Sequence, residues 1–327
     1  MKKEINWINH INRNYLKEIL PLNTPLKVEI EPTSACNFKC IYCRHSSVNI
    51  KPEFMTMEIF NKIYNGVKKF NKRIKSFNFA GIGEPLLNKN IYEMIKKANE
   101  LSEDTVLITN GSLLNKENSD KLIESNIKTV RISLQGVDKN DYYKISNYNI
   151  DFQKFLDNLE YFYKNKKEGT KLFLKMPDIA IKTDEKRNKF YKLFEDKCDF
   201  LTIQNICDFF SEVDYSNMEL NDKNILGNDS KEILVCHFPF YSIYVDKSGI
   251  VFPCCHIYGD LDIGDINKES LFDIWNGKKL YDFRIDLLTK HTINMSVCST
   301  CTNAKSYTNQ YDYLDDSIDD LLNKYKR

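Results

Sequence analysis

The chain has 327 residues, with 47 Lys and Arg against 46 Asp and Glu, and a formal net charge of +1. That length accommodates one large domain and a small one, and the even charge leaves no basic face of the kind a nucleic-acid partner needs. No apolar signal segment follows Met1-Lys2-Lys3-Glu4, and no apolar run could span a bilayer, so a cytoplasmic protein is expected, its ten cysteines reduced and available to metal. In chain order, residues 1–24 come first, with Ile5, Ile8, Ile11, Tyr15, Leu16 and Ile19 near helical spacing up to Pro21. This predicts an amphipathic N-terminal helix, too short to be a separate peptide-recognition domain.

From Leu26 the apolar pattern becomes short runs separated by helical ones. Strands are expected over Lys27–Glu31, Ser76–Ala80, Thr105–Thr109, Thr129–Leu134, Lys171–Met176 and Phe200–Asn205. Between them, Thr56 is a plausible N-cap for a helix burying Phe60, Ile63, Tyr64, Val67 and Phe70. Further helices are expected over Asn90–Leu101, Asn118–Ser125, Phe152–Tyr163 and Lys186–Phe194. Six strands alternating with helices predict an α/β fold, an open, partial (β/α)6 barrel over 25–215, with its chemistry at the carboxyl ends of the strands. Residues 216–230 lose the alternation and read as a linker ending in Gly227-Asn228-Asp229-Ser230. Next, Phe240–Val245 and Ile250–Pro253 flank Asp246-Lys247-Ser248-Gly249, a hairpin signature. Ser270–Leu288 reads as one helix, so 231–305 form a small hairpin-plus-helix domain. In the tail, 306–327, the stretch Tyr311–Lys326 reads as a docking helix.

The cysteine loop follows the first strand. Cys36, Cys40 and Cys43 stand at C-x3-C-x2-C. A cubane iron–sulfur cluster usually takes four cysteines, so three leave one iron open to another ligand. Three structural cysteines or half a zinc site are the plain alternative. The spacing, with Tyr42 before the last cysteine, resembles the signature of the radical S-adenosylmethionine (SAM) superfamily. The resemblance implies that Cys36, Cys40 and Cys43 ligate a catalytic [4Fe–4S] cluster whose open iron takes SAM, with Tyr42 near the adenine. Ala80-Gly81-Ile82-Gly83-Glu84-Pro85 looks like the family's Gly-Gly-Glu motif, which would set Gly81, Gly83 and Glu84 beside the methionine amino group. Asn110, closing the third strand, and Ser133 and Gln135, closing the fourth, match positions that reach the ribose and methionine carboxylate in the family. Many relatives carry Arg-Gly where this chain has Ile145-Ser146-Asn147, and no role is assigned there.

Toward the carboxyl end, Cys236, Gly249 and Cys254 form C-x12-G-x4-C, and Cys298 and Cys301 form C-x2-C. Four cysteines close one site, and taken alone they would equally suit zinc. Beside the first motif they resemble the SPASM extension in its shortened, Twitch form. That implies one auxiliary [4Fe–4S] cluster, two clusters in all, and a layout similar to the butirosin-pathway dehydrogenase of an aminocyclitol. Of the remaining cysteines, Cys198 is expected in the core, and Cys255 is an inert neighbour or alternative ligand. Cys207 is a small buried hydrophobe or a hydrogen donor to a substrate radical. Lys175 is a solvated lysine or a base toward a substrate hydroxyl. Asp178, Gln204 and Asn205, at strand ends, are candidate substrate contacts. His237 and His256 flank cysteines and are expected to hydrogen-bond rather than bind metal.

The resemblance implies a radical SAM oxidoreductase. A 5′-deoxyadenosyl radical would take hydrogen from a small hydroxylated substrate (sugar, nucleotide-sugar or cyclitol), and a carbinol would become a ketone with the auxiliary cluster accepting the electron. Epimerisation with a cysteine hydrogen donor is the first alternative. Modification of a peptide or protein is the second, weakened by the missing cysteines of the two-cluster extension. The expected partners are a small-molecule substrate and a one-electron reductant such as flavodoxin or ferredoxin, with no nucleic acid and no membrane.

Overall fold

The computed structural model describes residues 14–225, 227–255, 261–295 and 298–326. Most of the expected N-terminal helix lies outside these, and its described part is α1, Leu16–Ile19. The chain then runs β1 Lys27–Ile30, α2 Arg44–Ser47, α3 Met57–Lys68, β2 Ile74–Phe79, α4 Ile91–Ala98, β3 Ser102–Thr109, α5 Lys116–Glu124 and β4 Thr129–Ser133. It continues through α6 Lys139–Ser146, α7 Phe152–Asn165, β5 Lys171–Pro177, α8 Asp184–Phe194 and β6 Phe200–Gln204. The expected α/β alternation is present, and β1 to β6 are parallel neighbours. α3 forms where its cap predicts: Thr56 accepts the Ile59 N–H at 3.2 Å. Phe60, Ile63 and Val67 on its inner face are at most 1% exposed. Burying each side chain contributes about 1.5–3 kcal/mol.

The carboxyl half is built of α9 Phe238–Tyr241, β7 Ser242–Val245, β8 Ile250–Phe252, β9 Gly264–Asp265, α10 Leu271–Trp275, α11 Lys278–Lys290, α12 Asn303–Tyr307 and α13 Ile318–Tyr325. Its hairpin extends the same sheet. β7 pairs parallel with β1, Lys27 opposite Ser242 and Glu29 opposite Tyr244, giving the strand order β6-β5-β4-β3-β2-β1-β7-β8-β9. Without β7, the hydrogen-bonding edge of β1 would be buried and unpaired.

Three local expectations are corrected. The single helix expected over Ser270–Leu288 is two helices, interrupted at Asn276-Gly277, where Gly277 restarts the chain as N-cap of α11. The tail turns helical only at Asp315, as a 3-10 turn that leads into the α-helix at Ile318, and the Asp315 side chain accepts the N–H groups of Leu234 and Val235 at 2.8 and 3.0 Å. α6 is short and polar enough to escape the apolar pattern; Asp138 caps it, and Asn147 ends it in the left-handed region at φ 50°.

Strand alternation divides the side chains. Val28, Ile30, Phe77, Phe79, Val130, Ile132, Leu172, Leu174 and Met176 join the core under the helices. The opposite parity puts Lys27, Glu29, Asn78, Asp104, Arg131, Ser133, Phe173 and Lys175 on the inner face.

Candidate active site

The cysteine loop leaves β1 and is pinned on three sides. Thr33 Oγ1 and the Ser34 N–H donate to Glu53 O at 2.6 and 3.0 Å, and Asn88 Nδ2 donates to Pro32 O at 2.7 Å. On its far side, the N–H groups of Lys39 and Ile41 donate to the carbonyls of Ser146 and Ile145 at 2.8 and 2.9 Å. The segment Ile145-Ser146, given no role from sequence, therefore holds the loop through its backbone. The three thiols act on one another: burial pushes Cys36 up to about 11 and Cys40 well above the ordinary range, with neighbouring cysteines adding to both shifts. Burial also raises Cys43. A metal is the natural counter-charge for thiolates held there.

Gly81, Gly83 and Glu84 come to the same place, although the structure gives them tasks within the chain. A Cβ on Gly83 would stand 2.1 Å from Thr33 O and 2.6 Å from Ala35 O, so glycine lets this loop lie directly on the cysteine loop. The Glu84 N–H donates to Ala35 O at 2.8 Å. The buried Glu84 carboxylate accepts from Thr109 Oγ1 at 2.6 Å, the Asn110 N–H at 2.7 Å and the Leu86 N–H at 3.0 Å. It clamps the end of β3. Asn110 Nδ2 donates to Asn37 Oδ1 at 2.8 Å, and Asn37 Nδ2 donates to Ser112 Oγ at 2.8 Å, which ties the end of β3 to the residue after Cys36. Tyr42 Oη donates to Gln135 Oε1 at 2.7 Å, and Gln135 Nε2 donates to Ser133 O at 3.1 Å. Of the residues expected around SAM, Glu84 and Asn110 thus fall in one hydrogen-bonded group and Tyr42, Gln135 and Ser133 in another, both reaching the cysteine loop. Asn37 and Ser112 were missed because an isolated Asn or Ser in a loop carries no spacing signal.

On the inner face, Lys175 lies half-buried beside Arg131, and burial first, then that neighbouring cation, lowers its ammonium to about 8. The Arg131 guanidinium sits 5.6 Å over the Phe173 ring, which stacks on Phe200 at 4.4 Å. Asp178 is spent on structure, its Oδ1 accepting from the Ile206 N–H at 2.9 Å and its Oδ2 from Asn221 Nδ2 at 2.8 Å. Asn205 donates to Asn224 O at 2.9 Å, and Gln204 is half-buried on β6. Cys207 points to the Lys223 carbonyl at 3.8 Å, and burial raises its thiol to about 11.

The four C-terminal cysteines converge. The charge interactions acting on Cys236 come from Cys254, Cys298 and Cys301, and all four line one cavity of about 420 Å³. Arg44, next to Cys43, lines the same cavity and donates from Nε to Glu212 at 2.9 Å. Phe209, Phe210 and Phe238 complete its apolar wall, and Cys36, Cys40 and Cys43 are not part of its lining. Cys255 turns away from it. After burial, the strongest influences on its thiol are Glu29 and Lys27 of β1, so it is placed as a neighbour of the inner face rather than as a fifth ligand. Cys198 is in the core as expected, donating to Phe194 O. His237 is buried, stacked on Tyr241 at 5.9 Å and within 3.3 Å of Thr308 Oγ1, while His256 lies outside the described residues.

Both cysteine groups suit iron–sulfur clusters. Their donor sets, three thiols and four, suit an open and a closed cubane; as placed, no three or more His, Cys, Asp or Glu side chains among the described residues form a group that could hold a metal ion. Sequence comparison agrees. Residues 30–193 match the Radical SAM superfamily and residues 236–302 match SPASM, an iron–sulfur cluster-binding domain. The chain belongs to the radical SAM superfamily. Its two domains imply SAM and two iron–sulfur clusters as cofactors.

Among curated proteins, the GTP 3′,8-cyclase of Staphylococcus haemolyticus (strain JCSC1435) is 31% identical over 150 residues, 43% of this chain and 43% of that protein. That of Staphylococcus epidermidis (strain ATCC 12228) is 29% identical over 158 residues, 45% of each. The match spans less than half the length of these relatives. Among solved structures, BtrN in complex with AdoMet and 2-DOIA shares 20% identity at a TM-score of 0.57, over 88% of this chain and 97% of that one. Streptococcus suis SuiB bound to S-adenosylmethionine shares 19% at 0.62, over 93% and 79%. Native anSMEcpe with bound AdoMet shares 20% at 0.60, over 92% and 99%. These likenesses establish the fold. No described helix is long and apolar enough to cross a membrane.

Proposed function

We propose that this protein is a radical SAM dehydrogenase that oxidises a carbinol of a small hydroxylated substrate, a sugar, nucleotide-sugar or cyclitol, to a ketone. The observation that carries this reading is the single set of four C-terminal cysteines on one cavity that Arg44, next to Cys43, also lines, enough for one closed cluster. When bound, the first cluster with SAM supplies a hydrogen-abstracting 5′-deoxyadenosyl radical, and the second supplies a one-electron acceptor. The chain's own part is position, dryness and a base. Phe209, Phe210 and Phe238 exclude water from the cavity wall. Lys175, on the inner face of β5 and outside that cavity's lining, is lowered to about 8 by burial and by Arg131 and is the candidate base for the hydroxyl proton as the carbinol hydrogen leaves. The substrate loses two hydrogens, one from carbon and one from oxygen.

A second reading, epimerisation, is favoured by one observation: the Cys255 thiol lies against Glu29 on the inner face, where it could return a hydrogen to a substrate radical. Incubation of the reconstituted enzyme with a panel of sugars, nucleotide-sugars and cyclitols in deuterated water separates these readings. The dehydrogenase reading requires a product two mass units lighter, without solvent deuterium. One solvent deuteron at an inverted carbon would mean epimerisation, and turnover of a peptide alone would overturn both.

A further inference from the structure

Glu31 stands between β1 and the cysteine loop and is fully buried, at 0% exposure. Its N–H donates to Val245 O at 2.9 Å. Its Oε2 accepts from the Tyr244 phenol at 2.5 Å and from the Ile82 N–H at 3.5 Å. Its Oε1 lies 3.7 Å from Lys247 Nζ, which also stands 3.7 Å from Asp246 and 4.0 Å from Glu53. Gly81, at φ +144°, is laid on the same side chain: a Cβ there would meet Glu31 Cγ at 2.7 Å. One carboxyl therefore touches both the Gly81–Gly83 loop and the hairpin of the C-terminal half.

Packing does not call for an acid at the end of β1. An apolar side chain of similar volume would fill the space without the cost of taking a carboxyl out of water. What an apolar residue cannot supply is a common acceptor for a backbone N–H of the loop and a phenol of the hairpin, together with a charge facing Lys247. We propose that Glu31, with Tyr244 and Lys247, is a positioning group through which the C-terminal hairpin fixes the Gly81–Gly83 loop and so sets the affinity for SAM. This rests on the reading that the loop contacts SAM.

The test uses the full chain with both clusters reconstituted anaerobically. S-adenosylhomocysteine binding is followed by calorimetry, with iron content and thermal unfolding measured on the same samples. Tyr244→Phe and Lys247→Met are each expected to weaken binding about fivefold, the effect of one lost hydrogen bond or charge contact. Glu31→Gln keeps an acceptor oxygen for Tyr244 and Ile82 but loses the charge contact with Lys247, so it is expected to weaken binding about as Lys247→Met does, whereas Glu31→Met binds more weakly than either hairpin variant. In the Glu31→Met background, Tyr244→Phe adds nothing, because the two act through one contact. Unchanged affinity in the hairpin variants, additive losses, or weakening matched by loss of iron would each overturn the proposal. If the wild type itself binds no S-adenosylhomocysteine, the SAM reading of the loop falls and the proposal with it. Wild-type binding with indifferent variants removes the proposal alone.

Discussion

The Tyr42 phenol donates to Gln135 Oε1 at 2.7 Å, so the residue before the last cysteine of the loop is tied to the end of β4. Gln135 is 2% exposed, and its amide has no water to replace that partner. Tyr42→Phe is expected to cost about 1–3 kcal/mol, the range for an orphaned buried acceptor. Urea unfolding measures this, and iron content should be unchanged, since no ligand is removed.

Glu84 carries a heavier duty, accepting from Thr109, Asn110 and Leu86 together. Glu84→Ala should destabilise the fold by about 3 kcal/mol or more, since three donors lose a charged acceptor. Glu84→Gln keeps one oxygen and should cost less. A lowered unfolding midpoint for Ala and an intermediate one for Gln is the expected series.

Lys175 makes a pH prediction. Its folded value of about 8 lies below its ordinary value of 10.5, so the unfolded chain holds the proton more tightly. Below pH 8 both states are protonated and the fold bears the full penalty of a buried charge; the penalty fades between pH 8 and 10.5 as the folded lysine becomes neutral. Lys175→Met is therefore expected to be more stable than wild type at pH 7 and to lose that advantage by pH 10.5, as denaturation across the range would show.

The cysteines separate by group. Cys36→Ala and Cys254→Ala should each lower iron from about eight atoms per chain toward about four, because each breaks one four-iron site. Cys255→Ala should leave iron near the wild-type level, since that thiol lies with Glu29 and Lys27. Iron assay of the three variants checks the assignment.

Much of this was legible in the sequence because it rests on spacing. Strand alternation and the Thr56 cap predict the parallel sheet and α3, cysteine spacing groups Cys36, Cys40 and Cys43, and spacing together with the SPASM resemblance groups Cys236, Cys254, Cys298 and Cys301. What escaped depends on partners distant in the chain. That β7 would close the edge of β1 cannot be read from a hairpin signature, which fixes only its own two strands. Asn37 with Ser112, and Glu31 with Tyr244, are matched across long separations with no local pattern. The carbonyls of Ile145 and Ser146 act through the backbone, where side-chain identity carries no signal. Glu84 was read from its motif as part of a loop whose backbone contacts SAM; the clamp its carboxylate makes on the end of β3 has no local signal in the sequence.

The most direct test of the account is 5′-deoxyadenosine formation by the anaerobically reconstituted protein supplied with SAM and a strong one-electron reductant. Wild type and Cys254→Ala should both release 5′-deoxyadenosine, while Cys36→Ala should release none. Wild-type protein with both clusters intact that never forms 5′-deoxyadenosine would contradict the account.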